Sequence, residues 1–267
     1  MLSWGILEFE QGYKNSGELQ NARESLRPAA QYLLDCHISK NRYIGQIGHP
    51  GTVSFMIHAA LLQQIARTFI YYTFSTLSSA SLIIIFCSYS VDIDHMYWGR
   101  AHQQKGKRPV FIYKKGMKAA DLMGKVASAL ASSSLVFKSV DDKFADTLLK
   151  HAIQVYKIGK SSPGVYSAHF RSATDIYPST NWEDDMAWAA AWLYKATGRN
   201  KYLREAVKYW KKRYWDMTIG WDNSGAATAV MLHTLKEQGG RVPSSSRIRK
   251  YVERKFLRSW IDSNGAS

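Results

Sequence analysis

The segment WEDDMAWAAAWLYKATG, Trp182 to Gly198, gathers the side chains of this chain most able to carry chemistry. Glu183, Asp184 and Asp185 open an Ala- and Trp-rich stretch, where carboxylates in a first helical turn meet the positive end of the macrodipole. Asn181 can cap that helix, and Lys195 with Gly198 marks its end. Trp188, Ala191, Trp192 and Ala196 fall at helical spacing and form one apolar face, with small Ala side chains that let a neighbouring helix come close. On residue types alone the acids are caps of a core helix. His95 and Trp98, in DHMYWGR, pair a hydrogen-bonding imidazole with a flat indole, and on their own read as a loop histidine beside a core tryptophan. There is no zinc-ligand spacing, P-loop or dinucleotide glycine pattern, and Ser, His and Asp residues occur at no telling spacing.

The elements that must position these groups are helical hairpins. Asp141 and Asp142 stand at the start of a helix running to Gly159, with Phe144, Leu148, Ala152, Val155 and Tyr156 on one face. Asn200 can cap a helix from Lys201 to Tyr214 that turns Leu203, Ala206, Val207 and Trp210 inward, and Asp222 can cap another from Ser224 to about Glu237. Arg247 to Trp260 reads as one more. Strand alternation is scarce, so paired helices joined by Gly- and Ser-rich loops predict an all-α fold. At 267 residues and 46% hydrophobic, the chain has material for one substantial domain or two small ones.

The charge balance departs from that plain picture. A net charge of +15 and basic runs at Lys105 to Arg108, Lys208 to Arg213 and Arg247 to Arg258 would attract polyanions, which keeps a basic nucleic-acid-binding module as a rival reading. No RNP-like stretch or homeodomain pattern supports specific nucleic-acid recognition. Cys36 and Cys87 are the only cysteines, too few to infer a compartment. Between Arg67 and Asp92 no charged residue occurs, so this stretch is long enough to cross a bilayer, although its Ser and Thr content makes it a weak transmembrane candidate.

Several motifs, taken in order, resemble those of glycoside hydrolase family nine, the endo-β-1,4-glucanases (cellulases). The Trp182 to Gly198 segment is similar to the family's helix Tyr-x-Asp-Glu-Leu-x-Trp-x-Ala-x-Trp-Leu-Tyr-x-Ala-Thr-Gly, with Asp184 and Asp185 at its Asp-Glu pair. MLSWGILEF from Met1, LRPAAQYLLDCH from Leu26, GQIGHP from Gly45, DHMYWGR from Asp94, AADLMGKVASALASSSLVFK from Ala119, GVYS from Gly164 and GWDNSGAATAVML from Gly220 continue the series. The resemblance implies a six-hairpin (α/α) barrel, of which residues 1–51 and 91–267 would form a part. Residues 52–90 have no counterpart in it and read as a hydrophobic insert, most simply a retained intron read in frame, with a membrane anchor or hydrophobic hairpin as the alternative. Met1 falls inside a matched helix with no basic and apolar leader ahead of it, so no signal peptide is expected in this chain, although the family is usually secreted.

For chemistry the resemblance implies hydrolysis of β-1,4-glucan with inversion, in which one carboxylic acid protonates the leaving oxygen and one carboxylate activates water. The family draws its base from an Asp-Ala-Gly-Asp loop and its acid from an Asn-Glu segment, and neither motif occurs in these residues. No catalytic residue is therefore assigned, and the chain reads as a central fragment inactive by itself. A non-catalytic carbohydrate-binding protein is the alternative. By resemblance, His95 would hydrogen-bond sugar hydroxyls and Trp98 would stack on a pyranose ring. Ala101 and His102 replace the family's Pro-Glu after Trp-Gly-Arg. A structural calcium ion held by Asp184, Asp185 and Asp222, with Thr180 or Asn181 as carbonyl donor, is also implied; Asp185 is one methylene shorter than the family's glutamate.

Overall fold

A computed structural model describes residues 1–48, 97–105, 108–170, 177–210, 218–259 and 261. The insert expected over residues 52–90 and the candidate His95 lie outside these residues. The chain divides into two compact units, Met1–Ile44 with Tyr113–His169 and Ser179–Ser267, and Gly45–Ile112 with Phe170–Pro178. Among the described residues the α-helices are α1 (Leu2–Glu8), α2 (Glu10–Asn15), α3 (Leu19–Asp35), α4 (Ala120–Phe137), α5 (Asp142–Ser161), α6 (Glu183–Thr197), α7 (Asn200–Tyr209), α8 (Gly225–Glu237) and α9 (Ser245–Tyr251), which continues as a π-helical turn over Val252–Leu257. Two strands, β1 (Arg42–Ile47) and β2 (Val110–Lys114), pair in a small sheet that the sequence patterning had not indicated. Among the described residues no helix is long and apolar enough to cross a membrane.

The first unit is built on α6. Its residues Asp184 to Leu193 are all buried, so this is a central helix and not the one-faced element its Trp spacing suggests. The small Ala residues among the tryptophans explain the difference: they let α4, α5, α7 and α8 all pack on this helix. The tryptophan face packs on α1, where the Trp4 and Trp188 rings meet at 5.1 Å and Trp188 and Trp192 at 5.4 Å.

Glycine sets how closely the central helices approach. A Cβ on Gly124 of α4 would stand 2.6 Å from the carbonyl carbon of Asp185 and 2.7 Å from its oxygen. On Gly159 of α5 it would stand 2.9 Å from the Met186 sulfur. The first obstacle is backbone, which cannot rotate away. The serines of α4 are buried without loss because Ser128, Ser132 and Ser134 return their hydroxyls to carbonyls three residues back, at 2.7, 3.1 and 2.7 Å.

Caps agree in part with the sequence reading. Asp141 caps α5 by accepting from Phe144 N–H at 3.1 Å, and Arg27 grips the same carboxylate at 2.8 Å. Gly198 ends α6 in the left-handed conformation, φ 66°. Asn200 is the first residue of α7 and not its cap, and Asp222 caps nothing, since Ser224 holds that position before α8. The helix expected over Arg247 to Trp260 begins at Ser245 and unwinds into the wider π-turn over Val252–Leu257.

His37 and His151 face one another through their Nδ1 atoms at 3.1 Å, and His37 Nε2 is buried with no hydrogen-bond partner. One imidazole must present a lone pair, so the pair tolerates little positive charge. Burial, then the like charge of His151, lowers the His37 pKa to about 4.

Two outcomes are expected. Gly124→Ala should lower unfolding stability by about 3 kcal/mol in denaturant titration, because the methyl group must displace the Asp185 backbone. The His37 pKa is depressed from 6.5 to about 4 in the folded chain, so its contribution is present above pH 6.5 and lost as pH falls toward 4. Stability measured across that interval should fall less steeply in His37→Phe, which keeps a ring and cannot charge.

Candidate functional site

A buried polar cluster joins α4, α6 and the start of α8. Asn181, just before α6, donates from Nδ2 to Asp184 Oδ1 at 2.7 Å and accepts from Glu183 N–H at 3.4 Å. The Ser224 N–H, at the start of α8, donates to Asp184 Oδ2 at 2.7 Å. The Ser224 hydroxyl donates to Asp185 Oδ1 at 2.7 Å. Lys125 of α4 completes the group, its Nζ 2.9 Å from Asp185 Oδ1 and donating to Ser224 Oγ at 2.7 Å. Asp184 and Asp185 are each only 2% exposed, so these bonds replace the water they have lost.

Electrostatics follows burial. Desolvation raises the pKa of Asp184, opposed by the Ser224 N–H and by Lys125. It raises that of Asp185 further, with Lys125 opposing and the neighbouring Asp184 adding to the rise. A third buried acid, Asp121 in the first turn of α4, accepts from Tyr166 N–H at 3.0 and 3.1 Å and from Leu122 N–H at 2.7 Å. It anchors the turn Tyr166–Ala168 to α4, and burial raises its pKa as well.

Of the three carboxylates expected to hold calcium, Asp184 and Asp185 share this network. Asp222 is engaged elsewhere, accepting from Thr180 N–H at 3.1 and 3.3 Å and from its hydroxyl at 2.6 Å. Among the described residues no group of three or more His, Cys, Asp or Glu side chains is placed to hold a metal ion. Calcium needs six to eight oxygens at about 2.3–2.6 Å, and a lysine ammonium already sits on Asp185. The donor set therefore does not fit the ion. Lys125 and Ser224 were not singled out from sequence; nothing in the spacing of residues 125, 185 and 224 signals that they meet.

In the other unit, the Trp98 side chain is fully exposed. The core tryptophan reading is thereby set aside, and an open indole face is available for stacking on a flat ligand.

The family model described as glycosyl hydrolase family 9 matches residues 1–267. Endoglucanase 15 of Arabidopsis thaliana is 28% identical over 94% of this chain and 42% of its own length. An endoglucanase from the termite Nasutitermes takasagoensis superposes with a TM-score of 0.69 at 29% identity, over 88% of this chain and 46% of that one. The endoglucanase CelQ of Clostridium thermocellum, in a structure with cellotetraose, superposes with a TM-score of 0.62 at 23% identity, over 93% and 34% of the two chains. The chain thus spans about four tenths of the length of the curated plant relatives it matches. Its all-α hairpins are part of the (α/α)6 barrel that such endoglucanases form.

Ser224 is the hinge of the cluster. Ser224→Ala removes the hydroxyl that donates to Asp185 and accepts from Lys125, while leaving the backbone bond to Asp184. It should cost about 2 kcal/mol in equilibrium unfolding, the loss expected when buried charged groups give up a partner.

Proposed function

Because the chain belongs to glycosyl hydrolase family 9, we propose that it is the central part of the catalytic barrel of an endo-β-1,4-glucanase and supplies framework and sugar contacts, not the acid and base. The match of the family model across all 267 residues carries this reading. The substrate would be a β-1,4-glucan such as cellulose, in keeping with the cellotetraose bound by CelQ, and the whole protein would act outside the cell. Trp98 offers its exposed indole as a stacking platform, and His95, three residues before it, is the partner proposed for sugar hydroxyls.

The chemistry limits what these residues do alone. Inversion requires two carboxyl groups about 6.5–9.5 Å apart across the scissile bond. Asp184 and Asp185 are adjacent in the first turn of α6, buried, and committed to Asn181, Ser224 and Lys125. Neither is free to reach a glycosidic oxygen or a water on the opposite face of a sugar. Their role is to hold the framework.

The 267-residue chain should therefore be retained on swollen cellulose and release no reducing sugar from carboxymethyl cellulose. Trp98→Ala should reduce retention about tenfold, the loss of one stacking contact. Hydrolysis by the chain, or equal retention of the variant, would overturn the reading. A strong salt-dependent affinity for DNA without glucan binding would favour the basic module instead.

A further inference from the structure

We propose that the Lys125 ammonium takes the place of a divalent cation at the junction of α4, α6 and α8, making this junction independent of metal. Three observations carry the inference. The Lys125 Nζ touches the carboxylate of Asp185 at 2.9 Å and the hydroxyl of Ser224 at 2.7 Å, bridging the start of α6 to the start of α8 as a bound cation would. Asp222, the third carboxylate a cation would need, is turned to Thr180 by three hydrogen bonds. Gly124 brings the α4 backbone against that of Asp185, so the residue next in sequence reaches the carboxylates from the adjoining helix.

Charge and geometry agree. Asp184 and Asp185 bring two carboxyl groups into a buried position, and the first turn of α6 offers the partial positive charge of its macrodipole. A single ammonium with the backbone N–H of Ser224 and the amide of Asn181 supplies the remaining donors. The Lys125 side chain is about one-third exposed, while the carboxylate it meets is buried. A divalent ion entering the cluster would have to expel the ammonium against repulsion between like charges. What results is a cation built into the chain, whose occupancy depends on neither calcium concentration nor chelators.

The test is thermal unfolding of the full 267-residue chain in excess EDTA and in millimolar calcium chloride. The unmodified chain should show the same Tm in both. Lys125→Met should lose about 10 °C in EDTA, as expected for a buried ion pair deprived of one partner. Calcium should then raise the Tm of Lys125→Met saturably, because with the ammonium gone Asp222 exchanges its Thr180 hydrogen bonds for the ion and joins Asp184 and Asp185 as third carboxylate. A calcium-dependent Tm in the unmodified chain would overturn the proposal, as would a Lys125→Met variant that unfolds at the same temperature or gains nothing from calcium. Should Lys125→Met not fold, Lys125→Gln, which keeps a hydrogen-bond donor and removes the charge, is read by the same criteria. These outcomes are independent of glucan retention.

Discussion

The buried contact between Lys125 and Asp185 is the constraint around which the helical unit is organised. An acid that is 2% exposed is costly unless its oxygens are occupied, and here the occupants come from separate elements: an ammonium from α4, a hydroxyl from the start of α8, and the acid itself from α6. Satisfying one carboxylate therefore fixes the ends of three helices. Asp184 does the same for the loop before α6 and the turn before α8 through Asn181 and the Ser224 N–H. A polar network of this kind adds little net stability compared with a well-packed apolar substitute. Its effect is specificity, since the helices cannot slide without stranding a buried charge.

That network depends on packing one layer away. Lys125 reaches Asp185 because Gly124 lets the α4 backbone approach to within contact of α6. The same economy of side-chain volume recurs along α6, where Ala187, Ala189, Ala190 and Ala191 are fully buried, and at Gly159, where the Met186 sulfur fills the space a side chain would take. The tryptophans supply apolar area on the α1 side, while small residues set the separation between α6 and α4. Large and small residues thus divide the work of a central helix. For a member of glycosyl hydrolase family 9, this gives a closely packed helical framework around α6.

Much of this was legible in the residues. The acidic opening and glycine close of α6 and the inward positions of α5 follow from spacing and end chemistry, which act within one or two turns. What spacing misjudged has a common cause. Asn200 and Asp222 have capping side chains in capping positions, yet neither caps: the first is drawn into the helix, and the second finds better donors on Thr180, distant in sequence. Trp98 reads as core by type and lies wholly exposed. Residue type reports preference, and the position of a competing partner decides it.

The sequence by itself determined the helical hairpins, the family resemblance and the crowding of carboxylates at the start of α6, because these depend on periodicity and on order along the chain. Only the tertiary structure decided what the carboxylates do. Residues 125, 185 and 224 have no local relation, and the distance of 2.9 Å between an ammonium and a carboxylate exists only once α4 has packed on α6 at its glycine. Hydrogen-bond partners in a buried site are chosen by proximity in space, which a linear pattern does not contain. Asp184 and Asp185, which by residue type read as helix caps, are in the folded chain joined to Ser224, and Asp185 also to Lys125.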